Sequence, residues 1–161
     1  MAEPIPDPGV EEITRWHRTF APRFFNHTWE LMDRPSLTSD EVDEMLASAF
    51  AQRAHWYQVG DARNRAIADW QVSRAAVRAG YPDLARRFAE RCLRVSSDLD
   101  PFVVAFAHEA MARAASLVDD VDTFTEHLQA ARRLVEQIDD SEEREVLVAD
   151  LDEMEGADQR R

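Results

Sequence analysis

The sequence predicts an all-α protein of stacked antiparallel helical hairpins, with about seven helices in one domain, and three observations carry the prediction. Glycine is scarce, four residues in 161, while Ala, Leu, Arg and Glu abound, a composition that favours helix almost throughout. Apolar residues return every third or fourth position in one segment after another. A helical block also recurs at a spacing of 39 residues, the mark of a repeated hairpin.

Residues 1–10, with three prolines, read as a flexible arm ahead of a single helical domain over 11–156. Ile13, Trp16, Phe20, Phe24, His27 and Leu31 predict a first helix from about Glu11 to Asp33, and Phe25, Trp29 and Met32 give it a second apolar face. Pro35 stops it. Ser39 reads as the cap of a second helix running to about Tyr57, with Val42, Met45, Leu46, Ala49 and Phe50 turned inward. Together they make a divergent first hairpin over 11–60.

Gly60 ends that hairpin, and Asp61 caps a third helix that ends near Ala79. Gly80 supplies the turn, and Pro82 sits in the first turn of the fourth helix, where its missing N–H costs nothing. Pro101 opens a fifth helix through Val118, and "DDVD" leads into a sixth that reaches about Ile138, so 61–138 holds two more hairpins. Ser141 reads as the cap of a seventh helix through Glu155, a capping helix (141–155) with Val146, Leu147, Leu151 and Met154 as its apolar stripe. Residues 157–161 read as a frayed tail.

Shifted by 39, "AIADWQVSRAAVRAGYPDLARRFAERCLRV" falls on "AFAHEAMARAASLVDDVDTFTEHLQAARRL". Ala66/Ala105, Ala68/Ala107, Arg74/Arg113, Ala75/Ala114, Ala76/Ala115, Asp83/Asp122 and Arg94/Arg133 are then identical. Ala76, Gly80, Ala85, Cys92 and Leu93, followed by Pro101, stand at the intervals by which the chain resembles the tetratricopeptide repeat family. The second copy departs from that pattern, with Asp119 for the turn glycine and Phe124 for a small residue. The stretch "HWYQVGDARNRAIADWQVSRA" is similar to a group of uncharacterised bacterial tetratricopeptide-like proteins. The resemblance covers about 61–138 and implies a right-handed superhelix whose concave side, lined by the first helix of each pair, binds partners.

A net charge of −13 argues against nucleic acid and against an acidic membrane surface as partners. All 19 basic residues are arginine, so no lysine chemistry is available. The Arg/Ala/Asp-rich usage suits a GC-rich bacterial genome. Cys92 is the only cysteine and forms no internal disulfide. The N-terminus lacks a secretory signal pattern, and no window reaches the ~18 apolar residues of a membrane span. The expected location is the cytoplasm.

The candidate ligand-binding site is the face around Asn64, Trp70, Ser73, Arg74, His108, Glu109 and Arg113. Trp70 with Arg74, and Glu109 with Arg113, are i,i+4 pairs that the 39-residue shift superposes. Two arginines on one face can clamp a carboxylate of a protein or peptide partner. The other reading of the same residues is an internal ion pair of Glu109 with Arg74 or Arg113, beside a core tryptophan. No cofactor motif occurs. The alternatives to a binding scaffold are a metal-dependent helical-bundle enzyme using His17 and His55, which lie level if the first two helices are antiparallel, and a structural homodimer built through exposed stripes of the first or seventh helix. His27 reads as a core histidine, His127 as an exposed one, and Cys92 as buried and inert.

Overall fold

The computed structural model describes residues 8–158. The expected arm therefore lies mostly, and the end of the expected frayed tail wholly, outside the described residues. Seven helices and no strand occur within them: α1 (Val10–Met32), α2 (Ser39–Val59), α3 (Ala62–Ala79), α4 (Pro82–Ser96), α5 (Pro101–Ser116), α6 (Val121–Val135) and α7 (Ser141–Asp158). α1 runs through Pro22, and α7 continues past Glu155 to Asp158.

Short polar side chains start the helices. Asp61, Asp100 and Asp120 each accept from the backbone N–H three residues on, at 2.8, 3.2 and 3.1 Å. Two caps differ from expectation by one residue. Thr38, not Ser39, caps α2, because only Thr38 has a glutamate three positions later; its hydroxyl accepts from Glu41 N–H while the Glu41 carboxylate accepts from Thr38 N–H. Asp140, not Ser141, takes the Glu143 N–H at 2.9 Å at the start of α7.

The two copies of the repeat fold alike. α3 and α5 begin 39 residues apart, as do α4 and α6. The turn after each first helix holds a left-handed residue, Gly80 at φ 75° directly after α3 and Asp119 at φ 54° three residues after the end of α5. In each case the following N–H reaches back five residues, Tyr81 to the Ala76 carbonyl and Asp120 to the Ala115 carbonyl. Aspartate tolerates that conformation better than most side chains, which lets it replace glycine there.

Packing follows chain order. α1 lies on α2, α3 on α4 and α5 on α6, while α1, α3, α5 and α7 touch in succession; α2, α4 and α6 each pack on the first helix of the next unit. Alanine makes this close approach possible: Ala66, Ala68, Ala75 and Ala76 on α3, and Ala105, Ala107, Ala110, Ala112, Ala114 and Ala115 on α5, are all buried. Leu147, Leu151 and Met154 bury the stripe of α7, but Val146 stays 56% exposed and does not belong to it. No helix among the described residues is long and apolar enough to cross a membrane.

Candidate functional site

Four of the seven site residues come together around one buried carboxylate. Glu109, on α5, is 0% exposed. Its Oε2 accepts from Trp70 Nε1 at 2.9 Å, and its Oε1 from Arg74 at 2.8 Å and from Arg113 Nε. Burial alone pushes the Glu109 carboxyl up, but the Arg74 and Arg113 guanidiniums, with the hydrogen bonds from Arg113 and Trp70, outweigh it and hold the group below the usual range. Arg113 continues to Asp150 and Glu153 on α7, each at 3.4 Å. Two guanidiniums thus face three carboxylates of the chain itself, which is the geometry of the internal ion pair.

The other three residues lie elsewhere. Ser73 is buried and donates to the Ala85 carbonyl at 2.8 Å, tying α3 to α4. Asn64 completes the capping box of α3 by accepting from Asp61 N–H. His108 pairs with His127 on α6, Nδ1 to Nδ1, at 2.8 Å.

A second buried carboxylate has no counterpart in the sequence reading. Asp69, 0% exposed, accepts from Arg53 Nε and from the Tyr57 hydroxyl, both on α2, with Arg91 Nε of α4 at 3.7 Å. Its one local trace in the sequence is an acid inside the largely apolar stretch Ala66–Val72; Arg53 and Tyr57, i,i+4 on α2, become its partners only through packing.

His17 and His55 do lie level, with Nδ1 atoms 2.7 Å apart and His55 stacked on Phe24. That separation is a hydrogen bond, shorter than the roughly 3.3 Å between two nitrogens on one tetrahedral zinc. Neither histidine pair joins a group of three metal-ligating side chains among the described residues. His27 is not in the core: it bridges Glu44 at 2.6 Å and Glu30 at 3.3 Å on the surface, because α1 turns that side toward the start of α2. His127 is half-buried rather than exposed. Cys92 is buried, and that burial pushes its thiol well up.

Next to Glu109 lies a half-open cavity of about 240 Å³. Phe25 and Trp29 come to it from α1, Ala66, Ile67 and Trp70 from α3, Cys92 from α4, Phe102, Val103 and Phe106 from α5, and Val146 from α7. No charged or hydroxyl side chain lines it. Phe25, Trp29, Trp70, Phe106 and Phe102 form a continuous run of ring contacts, with centroids 6.5, 5.7, 5.2 and 4.9 Å apart. Trp70 belongs to both centres: its ring is cavity wall and its N–H is held by Glu109. Arg74 lies over Trp29 and Trp70, 5.8 and 5.6 Å from their centroids. The polar cluster therefore positions the aromatic wall.

Fold and site together define an all-helical protein that offers an apolar, aromatic-walled recess between the first helices of successive hairpins. No family model matches the chain, and no curated protein and no solved structure matches it either.

Proposed function

We propose that the chain is a non-enzymatic, tetratricopeptide-like binding module, a right-handed array of hairpins that takes a protein or peptide segment on the face shared by α1, α3, α5 and α7. The observation that carries this reading is the recess itself. A folded chain seldom leaves a concave, wholly apolar recess facing water unless something binds there. Here the recess is kept open and walled by five aromatic rings. The acids Asp69 and Glu109 are engaged in ion pairs and the only thiol is buried, which favours binding over catalysis. The single cysteine suits the cytoplasm, and the negative charge disfavours nucleic acid and anionic membranes.

The experiment is selection of a random peptide library against the purified full chain, with Val146→Glu as the counter-target. Val146 lines the mouth yet is 56% exposed, so the variant folds, and the new carboxylate would have to shed its water for an apolar group to enter beside it. Peptides retained by wild type and lost from the variant are expected. If wild type retains nothing above bare support, the peptide-binding reading is discarded.

A further inference from the structure

We infer that the recess accepts one large apolar side chain, phenylalanine or tryptophan, from a partner segment whose flanking residues are lysine or arginine. This rests on the peptide-binding reading and adds the chemistry of the peptide.

Size sets the first part. A dry cavity of about 150 Å³ takes one benzene, whereas pockets for whole drug-sized ligands begin at about 300 Å³. A cavity of about 240 Å³ lies between, the scale of a single aromatic side chain. Chemistry narrows it further. The Trp70 N–H is already committed to Glu109, and the lining has no carboxylate or hydroxyl, so an inserted arginine or tyrosine head would lose its hydrogen bonds to water without replacement. The ring run offers edge-to-face neighbours to one more ring. Large aromatic anchors in desolvated pockets are also the residues that dominate peptide and protein interfaces.

Charge sets the second part. Val146 marks the mouth on α7, where Glu142 and Glu145 are exposed beside it and Glu143 pairs with Arg63 at 3.0 Å. Arg63 is shared with Asp100, and Arg144, held by the Ile138 carbonyl at 2.6 and 3.0 Å, keeps its charge, so Arg63 and Arg144 stand against Asp100, Glu142, Glu143 and Glu145. The rim keeps an excess of carboxylate on a chain of net charge −13. Such a rim attracts a cationic flank and repels an acidic one.

Peptides from the library selection decide the matter. Enrichment of Phe or Trp with Lys or Arg on either side supports the inference. Enriched peptides that lack an aromatic residue, or carry acidic flanks, overturn it and leave peptide binding standing; an empty selection removes both. In a titration, replacing the aromatic residue of an enriched peptide by Ala should weaken binding about thirtyfold or more. The Glu142→Arg/Glu145→Arg double variant, altered only at exposed positions, should bind more weakly and lose salt dependence. Unchanged affinity in either comparison, with circular dichroism confirming the fold, overturns the inference.

Discussion

The two junctions between successive hairpins are each built on one buried carboxylate, and they use it in opposite directions. Asp69 and Glu109 are out of phase by one residue in the 39-residue repeat: Asp69 corresponds to His108, and Glu109 to Trp70. One residue is about 100° around a helix. Asp69 accordingly turns to the second helices, meeting Arg53 and Tyr57 of α2 and Arg91 of α4. Glu109 turns to the first helices, meeting Trp70 and Arg74 of α3, and through Arg113 it reaches α7. The same backbone thus yields a tie on one side of the array and a support for the aromatic recess on the other. The lesson is that a repeat conserves positions and leaves the side-chain phase free to assign them work.

The junctions also differ in completeness. Both oxygens of Glu109 are hydrogen-bonded by three donors, and its guanidinium partners are only 15 and 14% exposed. Around Asp69 the partners are 20 and 34% exposed, and Arg91 Nε has no hydrogen bond among the described residues. Removing the acid at the tighter site should therefore cost more. Glu109→Gln is expected to destabilise by about 3–5 kcal/mol, since poorly solvated Arg74 loses its counter-charge and Arg113 keeps only the 3.4 Å contacts with Asp150 and Glu153. Asp69→Asn should cost less, because Arg53 and Arg91 can turn to water. Urea unfolding of both variants measures the order; equal losses, or the reverse, would show that partner burial does not set the difference. Acid acts on the same contrast. The depressed Glu109 carboxyl contributes stability present above its unfolded value of 4.5 and lost as pH falls through its folded one.

Much of this was legible in local sequence. Helix starts, the Gly80 turn and the equivalence of the two hairpins follow from rules that operate within a few residues, and the cap errors at Thr38 and Asp140 are one-residue choices between adjacent polar side chains. Glu109 with Arg113 was visible because i,i+4 spacing is local. Asp69 was not, since its partners come from α2 and α4 and only packing brings them near. The recess was not legible either. Phe25, Trp29 and Phe106 have core spacing, and whether a ring ends in core or in a cavity wall depends on what the neighbouring helix brings. Ala66 and Cys92 are too small to fill the space, and Val146 points off the buried stripe of α7.

The second prediction sharpens the contrast at the next position of the repeat. Where the second hairpin has Asp69 and Phe88, the third has the His108–His127 pair. Burial, then the neighbouring His127 and Arg133, lower His108 against the opposing pull of Glu126; burial lowers His127 against the same glutamate. The folded state then binds fewer protons than the unfolded one, so this pair subtracts stability as pH falls through the unfolded value of about 6.5 toward the lower folded values. His27 runs the other way, because its hydrogen bonds to Glu44 and Glu30 raise it, and it gives stability at acid pH that is lost as pH rises through its folded value. His127→Phe, which copies the second hairpin, should flatten the loss between pH 7 and 5 relative to wild type. An unchanged slope would show that the pair does not report on folding.

The smallest effect tests the turns, where the two copies share a backbone and differ in one side chain. Gly80 and Asp119 both hold positive φ, and a Cβ on Gly80 would meet no atom within 4 Å, so conformation alone is at stake there. Gly80→Ala should then destabilise by about 1 kcal/mol, the cost of forcing an L side chain into the left-handed region. Asp119→Gly relieves the same strain in the other copy but gives up the interaction of the Asp119 side chain and lets the unfolded chain roam more widely, so its gain should be at most about 0.5 kcal/mol. Opposite signs in thermal unfolding follow if the two turns are one structural position occupied by two residues. Equal signs would mean that Asp119 is held by its surroundings and that the correspondence of the hairpins ends at the helices.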